Sequence, residues 1–218
     1  MIKDFVIVWE HRDQMLNGLM NTLWLSLCSA VLAFALGALL TTALTSRARP
    51  VAALARSFVD TMRCLPFLLF AYLVYYGLPS FGIRFSNWGA GLIALTLYNT
   101  AYMAELLRAA WAGLSPELIE AGHAFGFFGL NLFRRIVLPP VILAAVPMIG
   151  NQMIQIIKDS AFLSIIAVPE LTHEASSIQA TYFVPFAAFV AAVLLYWVLC
   201  LIVEAAVAGV GQMAEARR

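Results

Sequence analysis

Long uncharged stretches alternate with short charged ones along the chain, and the uncharged stretches are of membrane-crossing length. A helix that spans a bilayer needs roughly 20 predominantly apolar residues. Asp13 to Arg47 encloses 33 uncharged residues, Arg63 to Arg84 encloses 20, Arg84 to Glu105 another 20, Arg135 to Lys158 encloses 22, and Glu174 to Glu204 encloses 29. Each gap holds one crossing. The pattern predicts an all-α integral membrane protein with five transmembrane helices near residues 22–44, 58–78, 88–112, 139–157 and 185–207, in one domain over residues 1–218. Ser160 to Pro169 is an uncharged segment of only 10 residues and fits a re-entrant or surface segment. The runs are continuously apolar instead of alternating, which argues against an outer-membrane barrel.

Local signals refine these elements. Gly37 within the first span allows close approach of a second helix. Ser46-Arg47-Ala48-Arg49-Pro50 is a basic turn, and Gly77, Pro79 and Gly82 close the second run. Trp88 suits the start of the third span, and the cluster Thr181-Tyr182-Phe183 with Pro185-Phe186 suits re-entry from the outer interface. Residues 1–20 mix charge with hydrophobicity and are expected at that same interface.

Composition agrees with membrane embedding, since 63% of positions are hydrophobic and 11% charged, against about 25% charged in soluble domains. Thirteen basic and twelve acidic residues leave a net charge of +1, too little to gather nucleic acid. Cys28, Cys64 and Cys200 lie far apart in apolar sequence, and His11, His123 and His173 form no recognisable ligand pair, so no disulfide framework or metal centre is expected. With the N-terminus outside, the cytoplasmic segments hold eight basic residues (Arg47, Arg49, Arg56, Arg108, Arg134, Arg135, Arg217, Arg218) and the outer ones hold four (Lys3, Arg12, Arg84, Lys158). The excess of cytoplasmic Lys and Arg selects N-out, C-in. No basic stretch followed by a short apolar run and a small-residue cleavage site opens the chain, so no cleavable signal peptide is expected.

Residues 113–138 interrupt the apolar pattern. Ser115-Pro116-Glu117 supplies a cap, a proline at the first helical position and an acid in the first turn, so a short helix begins there. It ends by Gly126 or Gly129, and a second amphipathic piece, Asn131 to Leu138, is expected to stop against Pro139-Pro140. This cytoplasmic loop carries Glu117, Glu120, His123, Arg134 and Arg135. It reads equally as a docking surface and as an ordinary interfacial linker.

Ionisable residues inside spans are costly unless they face protein, water or cargo. Tyr98, Tyr102, Glu105 and Arg108 recur along roughly one side of the third helix, and Asn151, Gln155, Lys158 and Asp159 form a polar stripe on the fourth. An amino acid offers a carboxylate and an ammonium, so Arg63 or Lys158 suits the first and Asp159 or Glu105 the second. Asn99 and Tyr102 join them as substrate-binding candidates. The bland alternatives are an internal Lys158–Asp159 ion pair, and a Glu105–Arg108 pair that marks the end of a span.

Glu120-Ala121-Gly122, then Gly126, then Ile136-Val137-Leu138-Pro139 resembles the cytoplasmic loop of the permease subunits of ATP-binding-cassette importers for polar amino acids. Ala101-Tyr102-Met103-Ala104-Glu105-Leu106-Leu107-Arg108, Lys158-Asp159-Ser160-Ala161-Phe162-Leu163 with Pro169-Glu170-Leu171, and Arg63-Cys64-Leu65-Pro66 are similar to flanking motifs of that family. The likeness covers roughly residues 55–175. Gly122 replaces the family's third-letter alanine, Glu117-Leu118 stands where G-Q is usual, Cys64-Leu65 replaces G-T, and Ala161-Phe162 alters an S-L element.

The resemblance implies the fold of a type I importer permease in the bacterial inner membrane, working beside a second permease, identical or homologous. A dimer of ATPase subunits below and a periplasmic amino-acid-binding protein above would complete the assembly. It implies that Pro116, Glu117, Glu120, Ala121, Gly122, Gly126 and Pro139 form the coupling segment. ATP and its magnesium are then used by the partner ATPase, and this chain is expected to hold no cofactor and to catalyse nothing, consistent with its lack of G-x-x-x-x-G-K-[ST]. The competing reading is a self-sufficient secondary transporter, or an intramembrane hydrolase using Ser160 and a carboxylate. Secondary carriers usually need more spans or repeats, and no G-x-S-x-G motif is present.

Overall fold

The computed structural model describes residues 2–215, and their regular elements are all helical. Helix α1, Ile2–Glu10, stops at His11, whose Nδ1 lies 2.9 Å from the Ile7 carbonyl oxygen. Helix α2, Arg12–Leu44, starts ten residues before the span expected from residue 22, because Asp13 in its first turn favours a helix N-terminus there. Arg217 and Arg218, counted above as cytoplasmic, lie outside the described residues.

Helix α5, Asn87–Ala112, is the centre of the bundle. Ser86 caps it by accepting a hydrogen bond from the Gly89 amide at 3.2 Å. The helix is lined by small buried residues, Ala90, Gly91, Ala94, Ala101 and Ala104, and α2 meets it with Ser26, Ser29, Ala30, Ala33 and Gly37. Close approach of this kind gives helices in lipid their van der Waals contact. At Gly37 a Cβ would stand 2.9 Å from Met103 Cβ and 3.1 Å from the Ala104 amide nitrogen, so the glycine sets the spacing, as the sequence predicts. Thr41 fastens the same crossing with a hydroxyl that donates to the carbonyls of Gly37 and Ala104 at 2.8 and 3.1 Å.

The second predicted run is not one straight helix. Helix α3, Arg49–Cys64, and the segment Phe67–Phe81, which opens with α4, Phe67–Tyr72, diverge by 108°. Pro66 causes the break, since it has no N–H to donate and forces Leu65 into extended backbone at φ −89°, ψ 139°. By length and apolarity, three helical runs among the described residues suffice to cross a membrane: Arg12–Leu44, Gly129–Ile166 and Pro185–Gly209. The bent pair would make a fourth. Helix α5 has the length, 26 residues, but carries Thr96, Asn99, Thr100 and Glu105, and its neighbours bury the first three.

The loop after α5 holds α6, Pro116–Ala124, and α7, Gly129–Leu132. Gly126, at φ +81°, turns the chain out of α6. Pro139-Pro140 do not stop the amphipathic piece before them as expected. A π-helical turn over Phe133–Val137 runs directly into α8, Leu138–Ser160, and the prolines occupy its first turn, where a missing N–H costs little.

Ala161–Ile166 forms a 3₁₀ turn that buries Leu163 and Ile166 and is too short to cross. Helix α9, Leu171–Tyr182, follows it and is absent from the sequence reading. Its cap is Glu170, fully buried, whose carboxylate accepts from the amides of Thr172 at 2.9 Å and His173 at 2.7 Å and from the Tyr196 hydroxyl at 2.6 Å. Helix α10, Pro185–Glu215, closes the bundle against α8 and α9.

Candidate functional site

Two facing stripes, one on α5 and one on α8, enclose a cavity of about 370 Å³ lined by Tyr98, Tyr102, Met148, Asn151, Gln152, Gln155 and Asp159. The volume lies within the range of small-molecule sites, about 300–1,000 Å³. The Tyr98 hydroxyl donates to the Leu65 carbonyl at 3.1 Å and lies 3.2 Å from the Tyr102 hydroxyl. The opening of the helix at Pro66 is what frees that carbonyl, so the break in the second run helps build the wall. On α8, the Gln155 amide donates to Asp159 Oδ1 at 2.8 Å. The other carboxylate oxygen, Oδ2, is buried without a hydrogen-bond partner among the described residues. Among the described residues, Asp159 is the one charged residue in the lining.

The other candidates separate by position. Asn99 is wholly buried; its amide donates to Leu95 O at 2.8 Å, and its Oδ1 accepts from Gln152 at 2.6 Å, so it backs the wall. Tyr102 lines the cavity. Arg63 is exposed at the end of α3, two residues before Leu65. Glu105 is held by Arg108 in a two-pronged ion pair, Nε to Oε1 at 3.0 Å and Nη2 to Oε2 at 2.7 Å, and is not in the lining. Lys158 is exposed, turned about 100° around α8 from Asp159 and within electrostatic reach of it and of Cys200 on α10, and makes no ion pair with Asp159 among the described residues. The internal Lys158–Asp159 bridge is thereby corrected: consecutive helical residues project about 100° apart.

The coupling segment is a separate surface. Ser115 caps α6 by accepting from the Leu118 amide at 3.4 Å, and its hydroxyl holds the Glu117 carboxyl below its ordinary pKa. Pro116, Glu117, Glu120 and Ala121 are exposed, while Gly122 is buried. A Cβ on Gly122 would meet Leu132 Cδ1 at 2.5 Å, the free end of a flexible side chain that can shift, so the glycine sits close against the turn before α8 without excluding alanine. Sequence reasoning missed the apolar share of the surface: Phe125 is 83% exposed, Leu130 68% and Phe128 65%, with His123 stacked on Phe128 at 5.3 Å. The signal was available in these three apolar residues between the loop's two charged stretches.

Residues 33–212 match the family of binding-protein-dependent transport system inner membrane components. The chain is 30% identical over 193 residues to a probable glutamine ABC transporter permease protein of Bacillus subtilis (strain 168), covering 88% of this chain and 89% of that one. It is 34% identical over 178 residues to an octopine transport system permease protein of Rhizobium meliloti, covering 76% and 75%. A crystal structure of an amino acid ABC transporter with histidines superposes with a TM-score of 0.91 at 26% identity, over 96% of this chain and 98% of that chain. An inward-facing methionine ABC transporter has the same fold, with a TM-score of 0.76 at 19% identity.

The chain belongs to the family of binding-protein-dependent transport system inner membrane components. It is a multi-pass permease subunit of an ATP-binding-cassette importer, a transport component whose ATPase activity resides in a separate subunit.

Proposed function

We propose that this permease carries a polar amino acid through the cavity between α5 and α8, with the ammonium group of the cargo on Asp159. The observation that carries the reading is the Asp159 carboxylate, buried, held on one side by Gln155 and left with a free oxygen at the wall of a polar cavity. A buried carboxylate without a partner is costly, and a cationic group of the cargo would relieve it. Tyr102, Asn151 and Gln155 offer hydrogen bonds to the rest of a polar cargo, and Asn99 fixes Gln152 behind them. Arg63, two residues from the carbonyl that Tyr98 holds, is the candidate for the carboxylate end, while Lys158 and Glu105 take structural roles. The glutamine, octopine and histidine named for similar proteins all contain an amino acid backbone.

The assembly that goes with this reading has five crossings, with the second broken at Pro66 and α5 as the third. The N-terminus is periplasmic and the C-terminus cytoplasmic. A second permease, identical or homologous, completes the pore, and a periplasmic binding protein delivers the cargo. Pro116, Glu117, Glu120, Ala121, Gly122 and Gly126 form a helix and its stop that sit in an ATPase subunit, and Pro139 starts the helix that transmits the motion. Such a lever works if the ATPase binds α6 differently in its two states.

The test is uptake of labelled amino acids by the reconstituted assembly with wild-type chain and with Asp159→Asn. The expected result is saturable, ATP-dependent uptake and an apparent KM raised at least tenfold in the variant. Unchanged uptake of every amino acid tested would remove Asp159 from the cargo site.

A further inference from the structure

Helix α3 carries arginines at positions 49, 56 and 63, a seven-residue repeat that places them along one face, while Ala55 and Val59 are buried against the bundle. Two of them, Arg49 and Arg56, open with Arg108 of α5 onto a single cleft of about 600 Å³. Its floor is Leu44 and Ala112, the last residues of α2 and α5, with Ala52, Ala53 and Trp111 on the walls. Among the described residues, no carboxylate lines it. Glu105 engages Arg108 from outside the cleft, and Asp60, one turn after Arg56, forms no ion pair with it among the described residues.

The cleft therefore lies where two long helices end, and its chemistry is cationic on an apolar floor; the end of a membrane-crossing helix is where a chain meets phosphodiesters. The opening turns of α3, which lead into the broken second crossing, expose Val51 and Leu54, 46% and 75%, beside Arg49 and Arg56, a mixture suited to the membrane interface. Guanidinium groups recognise phosphate oxygens by paired hydrogen bonds. We propose that this cleft binds the phosphate of an anionic phospholipid headgroup, with Arg49 and Arg56 as its principal ligands and Trp111 at the glycerol level. The site requires only that the chain be membrane-embedded and is independent of the cargo assigned to the α5–α8 cavity.

The test is native mass spectrometry of the purified full-length chain, with whatever subunits co-purify, titrated with phosphatidylglycerol or phosphatidylcholine, and separately with inorganic phosphate. Retention of phosphatidylglycerol over phosphatidylcholine is expected. It should fall roughly fivefold for each arginine removed in Arg49→Gln and Arg56→Gln, be kept largely in Arg49→Lys with Arg56→Lys, and be untouched in Arg84→Gln. Equal retention of the two lipids, or of phosphatidylglycerol by the double glutamine variant, overturns the proposal. So does inorganic phosphate that displaces the lipid at equal concentration, which would make the cleft a free-anion site. Loss of a co-purifying ATPase subunit from the double variant, with lipid retention unchanged, would make it a protein interface. None of these outcomes depends on amino-acid uptake.

Discussion

The Gln152 side-chain amide donates to Asn99 Oδ1 across 2.6 Å, and this hydrogen bond joins α8 to the buried centre of α5 directly behind the cavity. Asn99 spends its own amide on the Leu95 carbonyl, so its oxygen has Gln152 as its partner from another helix. Polar links of this kind between helices in lipid contribute about 0.6–2 kcal/mol.

Gln152→Ala should therefore destabilise the purified protein by about 1–2 kcal/mol, and Asn99→Ala with Gln152→Ala by less than the sum of the two single changes. Denaturant unfolding of the four proteins measures the coupling. Additive effects would mean the bond contributes nothing beyond its parts.

Tyr98 bridges the break at Pro66, through its hydroxyl to Leu65 O, and also meets Tyr102. Its ring packs on Phe67 at a centroid distance of 5.2 Å. Tyr98→Phe keeps the ring contact and removes the hydroxyl from the Leu65 carbonyl, so uptake should fall several-fold with normal membrane insertion and a stability loss of about 1 kcal/mol. Wild-type uptake by this variant would show that the bent run holds its position without that hydrogen bond.

How far the sequence reached follows from the kind of signal each element carries. The helix expected over 88–112 is found as Asn87–Ala112, since Trp88 marks its start and the break in the apolar pattern from residue 113 marks its end. Gly37 announced a close helix contact, and a glycine announced it by its lack of a side chain alone. The 108° turn at Pro66 was out of reach, since proline marks a break but not its angle. Pro139-Pro140 misled for a related reason: a proline pair ends one helix or begins the next, and only the π-helical turn before it decides. Helix α9 escaped because its stabilising contact, Tyr196 on Glu170, joins residues 26 apart. Within the cavity the polar stripe on α8 was visible, but adjacent Lys158 and Asp159 could not be separated until their helix was placed.

Ser115 is the cap of α6 and the neighbour that lowers the Glu117 pKa. A depressed carboxyl stabilises the fold above its ordinary pKa, and the effect is lost as pH falls through the lowered value. Coupling should thus be insensitive to this group between about pH 5 and 8. Ser115→Ala should cost the short helix about 1 kcal/mol and lower amino-acid-stimulated ATPase activity at every pH in that range. A loss confined to one end of the range would point to another titrating group.

Gly122 packs on Leu132 and Ile136, which ties α6 to the turn that leads into α8. Gly122→Ala asks only that the end of the Leu132 side chain move, and it gains about 1 kcal/mol of helical preference, so transport should stay within about twofold of wild type. Gly122→Leu has no such escape and should uncouple ATP hydrolysis from uptake while the protein remains in the membrane. Tight coupling in the leucine variant would show that α6 does not need its contact with this turn.

Glu120 is exposed on α6 beside Ala121, on a surface that also presents Phe125 and Phe128. Exposed aromatic residues at an interface carry more binding energy than rim charges, while charges chiefly affect association rate and its salt dependence. Glu120→Ala should accordingly weaken recovery of the ATPase subunit several-fold at low salt and less at high salt. Phe125→Ala should weaken it at both. Both variants should insert normally and lower uptake in proportion to the ATPase subunit lost. Equal recovery of the ATPase with all three proteins would move the docking surface away from α6.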